Sequence, residues 1–177
     1  RHNRAVIVAT QMLESMIESP VPTRAEVSDA ATAIYEGADA IMLSAESAAG
    51  KYPVEAVTTM NDVAMSVEKD PTYRSVIEAS RVVRRESVAD GIVAAAREIA
   101  EATNIKAICC FSQTGTTASL VARERPHVSI IALTPLMSTA RRLALTWGAH
   151  CVNTPPQDRF QGAVLAAVSA ARADGFA

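Results

Sequence analysis

Short apolar runs alternate along the chain with longer stretches in which apolar residues return every three or four positions. Ala5-Val6-Ile7-Val8-Ala9 and Ala40-Ile41-Met42-Leu43 are runs of strand length with no polar alternation. That pattern predicts parallel strands covered on both faces. Thr23 followed by Glu26 is a capping box, so a helix is predicted from there through Val27, Ala30, Ala31 and Ile34 to a stop at Gly37. Pro53 opens a second helix through Val54, Val57, Met60, Val63, Ala64 and Val67. Thr10 and Ser44 stand just past the two strands, 34 positions apart. That period fits one βα unit of a (β/α)8 barrel or of an open α/β sheet.

Asp70-Pro71 interrupts the rhythm, and the stretch to Glu86 carries Arg81, Arg84 and Arg85. Residues 71–86 are therefore assigned as a linker between a first domain over 1–70 and a second over 87–177. Ser87 with Asp90 at the third helical position predicts a helix to about Ala102. Ile92, Val93, Ala96 and Ile99 lie on one side of it, which reads as a core-facing stripe, with a subunit interface as the alternative. Strands follow over 106–111, 128–133 and 149–152, and helices near 115–124, 136–146 and 157–173. Strands alternating with helices mean a parallel sheet with helices packed on it.

Composition narrows the functional classes. Of 177 residues, 49% are apolar and 34 are alanine, which suits close helix packing on a sheet. A net charge of −2 leaves no basic excess for nucleic acid. No apolar run approaches the roughly 18 residues of a membrane helix, so no membrane partner is expected. No signal-peptide core follows the first residues, and with neither an initiator Met nor a gradual end the chain is expected to be a fragment of a longer protein. Cys109, Cys110 and Cys151 have no CxxC spacing and read as reduced thiols of a cytoplasmic protein, with Cys109 and Cys110 on opposite faces of a strand. His150-Cys151 lacks a second ligand pair, so no metal site is assigned. His2, His127 and His150 are scattered, Asp29 and Asp39 are isolated, and no Ser-His-Asp set stands out.

Parallel folds place their sites at the carboxyl ends of strands. The candidates there are Thr10, Gln11, Ser44, Glu46 and the segment Ser112-Gln113-Thr114-Gly115-Thr116-Thr117. For Thr10 and Ser44 the alternative role is helix capping or turn formation, and for Glu46 a solvated loop charge. Four hydroxyls and a glycine between a strand and a helix have the composition of an anion nest, backed by helix N–H groups, with simple capping as the alternative. It is neither a P-loop nor a GxGxxG fingerprint. Arg84-Arg85 and Arg141-Arg142 read as helix-surface or interface charges.

Four blocks carry a family resemblance: Ala9-Thr10-Gln11-Met12-Leu13-Glu14-Ser15-Met16, Pro22 to Asp29, Gly37 to Ser44, and Tyr52-Pro53-Val54-Glu55-Ala56-Val57. In wording, order and spacing the chain resembles pyruvate kinase. The resemblance implies an α/β fold: the last two βα units of an incomplete (β/α)8 barrel, then a three-layer α/β/α domain with a mainly parallel sheet, lacking its last strands. It implies phosphoryl transfer from phosphoenolpyruvate to ADP in the parent enzyme, with Mg²⁺ and K⁺ whose ligands lie upstream of this chain. Thr10 matches the threonine that assists proton delivery to the enolate, and Ser44 the serine on the nucleotide side, with Glu46 beside it. Ser112, Gln113, Thr114, Gly115, Thr116 and Thr117 match the loop that takes a phosphate of an effector. A homo-oligomer, a tetramer in the parent, is implied as well.

The chain departs from the family pattern in three places. Ser-Gly-Glu-Thr reads Ser44-Ala45-Glu46-Ser47, a lysine of several members is replaced by Ala49 with Lys51 close by, and the effector loop has no basic residue. Two other readings stand beside the enzyme fragment: a non-catalytic module of the same fold that binds a phosphorylated metabolite, and an oligomerisation piece.

Overall fold

The structure is a computed structural model and describes residues 4–81 and 87–176. His2, Arg84 and Arg85 lie outside the described residues. The chain divides into two compact units, one over Ala5–Arg81 and a second within Val82–Ala177.

In the first unit β1 (Ile7–Val8) pairs in parallel with β2 (Ala40–Ile41), Ile7 opposite Ala40 and Val8 opposite Ile41. A 3-10 turn (Glu14–Ile17) and helices α1 (Arg24–Tyr35), α2 (Ala45–Ala48), α3 (Pro53–Lys69) and α4 (Pro71–Ala79) complete it. Helix α1 begins as the capping box requires: Thr23 accepts from the Glu26 N–H, and the Glu26 side chain accepts from the Thr23 N–H. The core is built from the loop after β1. Met12, Leu13 and Met16 are fully buried against Ala30, Ala33, Ala56 and Met60.

One expectation is corrected in this unit, and the stretch assigned as linker gains detail. The strands are short and far from covered, with Val6 55% and Ile7 44% exposed. Each strand has one partner within the unit, so neither is sandwiched as its apolar run suggested. Of the stretch assigned as linker, residues 71–79 form a helix. Asp70 caps it, accepting from Thr72 N at 2.7 Å, and Pro71 takes the first helical position, where its missing N–H costs nothing. Tyr73 and Ile77 of this helix are buried with Ile34 and Val67, and the Tyr35 hydroxyl donates to Asp70 at 2.7 Å.

The second unit runs α5 (Val88–Ala102), β3 (Ala107–Phe111), α6 (Thr116–Arg123), β4 (Ser129–Thr134), α7 (Met137–Leu143), β5 (Ala149–Asn153) and α8 (Phe160–Ala173). Its sheet is parallel in the order β3-β4-β5, with Cys109 opposite Ile131 and Ala132 opposite Cys151. Helices α5, α6 and α7 cover the face of Cys110, Ile130 and Ala132, while α8 covers the face of Ile131 and Leu133. This is the three-layer arrangement expected of an α/β/α domain. Cys109 is exposed and Cys110 buried, and burial pushes the Cys110 thiol up to about 12. Ser87 and Asp90 form the second capping box, and Asp90 also takes Arg123 of α6 at 2.7 Å. The stripe read on α5 divides. Val93 is buried with Ala94, Arg97 and Ala100, whereas Ile92 and Ile99 are 64% and 56% exposed. Among the described residues no helix is long and apolar enough to cross a membrane.

Candidate functional sites

The carboxyl ends of β1 and β2 carry Thr10 and Ser44, and both residues are exposed. Neither hydroxyl caps a helix. Thr10 Oγ1 lies 2.9 Å from the sulfur of buried Met12, and no side-chain bond from Ser44 closes the start of α2. A thioether is a weak acceptor, so the Thr10 hydroxyl can turn to a better partner.

Glu46 behaves differently from a loop charge. It is 4% exposed, and its carboxylate accepts from Ser44 N at 2.8 Å and from Leu13 N at 3.2 Å. It joins the two strand-end loops through their backbones. Burial opposes its ionisation, yet the N–H groups of Glu46 itself, Ser44 and Leu13 outweigh that and hold the carboxyl below its ordinary value. Gly50 closes the same loop: an added Cβ would meet the Glu46 carbonyl oxygen at 2.6 Å. Sequence reasoning found Glu26 only as a cap. Its carboxylate also takes Ser15 N at 2.7 Å and Ser15 Oγ at 2.5 Å. Despite the opposing effect of burial, these bonds and those from Thr23 bring Glu26 down to about 2. Lys51, considered for the nucleotide side, pairs with Glu18 on the surface.

Residues 112–117 form the second candidate. Ser112 is buried, and its N–H continues the ladder to the Leu133 carbonyl at 3.0 Å. Gly115 has φ +80, a conformation that L side chains rarely adopt, and it caps α6. Thr114 and Thr116 share a hydroxyl–hydroxyl bond of 3.0 Å. Helix α7 supports the loop: Thr139 Oγ1 donates to the Gln113 carbonyl at 2.7 Å, and Arg142 donates to the Thr114 carbonyl. Arg142 keeps the helix-surface position read for it and gains a partner as well. It is exposed, but its guanidinium lies on the loop, which acquires a cation absent from its own sequence. The bond joins residues 28 positions apart, beyond the reach of a local motif. Loop and α7 line an open hollow of about 500 Å³. A larger apolar groove, about 970 Å³, runs between β3 and α8 past Cys109, Phe111, Val164 and Val168.

No group of three or more His, Cys, Asp or Glu side chains among the described residues is placed to hold a metal. Glu26 and Glu46 are turned to backbone donors, and His150 Nε2 lies 2.8 Å from Asp174. The described residues do not fit a Mg²⁺ site, and no ligands for K⁺ are assigned.

Comparison with known proteins adds a family. Residues 1–57 match the model of the pyruvate kinase barrel domain, and residues 90–177 that of the pyruvate kinase alpha/beta domain. A pyruvate kinase of Methylorubrum extorquens is 56% identical over 154 residues, 87% of this chain and 32% of that protein. One of Agrobacterium vitis is 46% identical over 174 residues, 98% of this chain and 37% of that protein. The chain thus spans about a third of the length of these relatives. The crystal structure of a pyruvate kinase from Cryptosporidium parvum matches with a TM-score of 0.92 at 35% identity, over 99% of this chain and 36% of that one. The same organism's enzyme in complex with ADP matches with a TM-score of 0.86 at 35% identity, over 99% of this chain and 35% of that one.

Proposed function

The chain belongs to the pyruvate kinase family, and from that premise we propose that it serves as the barrel-end and effector-domain portion of an enzyme transferring a phosphoryl group from phosphoenolpyruvate to ADP. One observation carries the reading: the barrel model and the alpha/beta model of a single family match the two parts of the chain in order. The proposal takes the enzyme to be a cytoplasmic homotetramer that uses Mg²⁺ and K⁺, and it divides this chain into a barrel end over 1–70, a linker over 71–86 and an effector domain over 87–177.

Thr10 is the residue we assign to the reaction. Its hydroxyl is exposed at a strand's carboxyl end and carries no charge, so it can relay a proton to an enolate carbon, taking one from a solvent water as it gives its own, and the charge balance of phosphoryl transfer is kept. Ser44 lies on the nucleotide side of the same strand ends. Glu46 supports both, as a positioning residue that fixes the backbones of Ser44 and Leu13. In the second unit, Ser112, Gln113, Thr114, Gly115, Thr116 and Thr117 take a phosphate of a phosphorylated effector. The support is a left-handed glycine before a helix N-terminus, with hydroxyls around it.

The test uses two proteins. This chain alone should give no Mg²⁺-dependent ATP formation in a coupled assay, since its described residues provide no metal carboxylates. In the enzyme of full length, Thr10→Ala should lower kcat on the order of 10²-fold while the melting temperature holds. An unchanged kcat would return Thr10 to a turn-forming role.

A further inference from the structure

The direction of the backbone N–H groups in residues 113–116 follows from bonds made on their other side. In a trans peptide the N–H of one residue points opposite to the carbonyl of the residue before it. The Gln113 carbonyl is held by Thr139 Oγ1 at 2.7 Å, so the Thr114 N–H points away from α7. The Thr114 carbonyl is held by Arg142, so the Gly115 N–H points away from α7 as well. The Gly115 carbonyl accepts from Ser119 N and Ser119 Oγ, each at 3.0 Å, which turns the Thr116 N–H out of the helix start. No protein acceptor is recorded for these three N–H groups among the described residues. The packing agrees: an added Cβ on Gly115 would come within 3.1 Å of Leu143, so the loop lies directly against α7.

We infer that α7 is the strut that orients this loop for an anion, with Thr139 and Arg142 as positioning residues that act through the Gln113 and Thr114 carbonyls. This rests on the reading of the loop as a phosphate site. Thr139 is buried, so its hydroxyl has one geometry to offer, and the bond anchors the carbonyl firmly. Arg142 adds positive charge on the carbonyl side, which steadies the peptide dipole whose N–H end faces the ligand. Regulation of the site can therefore act from α7: a shift of that helix would rotate two peptide planes and scatter the donors without touching the ligand.

The experiment is NMR on the 177-residue chain and its variants Thr139→Val, Thr139→Ser and Arg142→Gln. Residual dipolar couplings report the Thr114, Gly115 and Thr116 N–H directions without ligand, and titration with inorganic phosphate reports affinity. The strut predicts that Thr139→Val and Arg142→Gln change the couplings at Thr114 and Gly115 and weaken phosphate roughly five- to tenfold, the scale of one lost hydrogen bond. Thr139→Ser should restore both. Couplings in Thr139→Val and Arg142→Gln that match the unaltered chain would overturn the strut. Altered couplings with unaltered phosphate affinity would overturn its role in binding. If phosphate moves no amide between 112 and 119 in the unaltered chain, the phosphate reading of the loop fails, and this inference with it.

Discussion

The two units solve the same packing problem in different ways. In the second, β4 has partners on both edges and helices on both faces, and Ile130 through Thr134 are wholly buried. In the first, β1 and β2 have only each other, their side chains remain in contact with water, and the loop residues Met12, Leu13 and Met16 form the centre of the core. Similar apolar runs thus acquire different burial, because burial of a strand depends on what lies at its edges. The first unit is tied together by carboxylates aimed at backbone N–H groups, the second by its sheet.

The strongest way to break this contrast is to shorten one strand residue in each unit. Leu133→Ala should cost about 3 kcal/mol, as for other fully buried leucines. Ile7→Ala, on a strand that stays wet, should cost less than about 1 kcal/mol. Denaturant melts separate the units directly, since the single Trp147 lies in the second and Tyr35, Tyr52 and Tyr73 all lie in the first. Equal losses would dissolve the distinction. Next in size is Gly50→Ala, whose Cβ would sit 2.6 Å from a backbone oxygen and cannot be relieved by a side-chain rotation. It should lower the tyrosine-reported transition by about 1–3 kcal/mol and leave the tryptophan transition in place.

Acid sharpens the same contrast. A carboxyl whose folded value lies below its unfolded one stabilises the fold above the unfolded value and loses that contribution as pH falls through the folded value. For Glu26 the window runs from 4.5 down to about 2. The tyrosine-reported stability should therefore decline with pH across that window, and Glu26→Gln should flatten the decline. The second unit has its own acid-sensitive group in Asp90, lowered first by Ser87 and then by Arg123, so Asp90→Asn should flatten only the tryptophan-reported curve. The smallest effect is expected for Thr10→Ala, which should leave both transitions within about 0.5 kcal/mol, because the side chain is exposed and caps nothing.

How much the amino-acid order revealed follows the range of each interaction. Capping boxes at Thr23–Glu26 and Ser87–Asp90 span three positions and were readable, as were the strand runs and the alternation that sets the fold class. Helix α4 was readable too, from Asp70 as cap with Pro71 behind it, but a proline after an acid and a run of charge reads equally as a break. The exposure of Ile92 and Ile99 reflects rotation of α5 about its axis, which follows from Arg97 joining the buried side, and apolar periodicity does not register a buried arginine. Glu46 reaches Leu13 across 33 positions, and Arg142 reaches Thr114 across 28. Contacts of that kind exist only after folding. At the strand ends, then, the sequence placed Glu46 beside Ser44 but gave no sign of the Leu13 N–H that its carboxylate accepts from.

The loop at 113–116 divides its duties between two parts of the chain. What would hold an anion is main chain, which every amino acid supplies, and what sets the main chain is a threonine and an arginine on a different element. The hydroxyls of Thr114 and Thr116 add to that cradle, and exchanging them would leave its main-chain part in place. On the proposed reading of the loop, a change in those side chains would retune which anion is held, while loss of Gly115 or of the facing turn of α7 would remove the main-chain share of the cradle altogether.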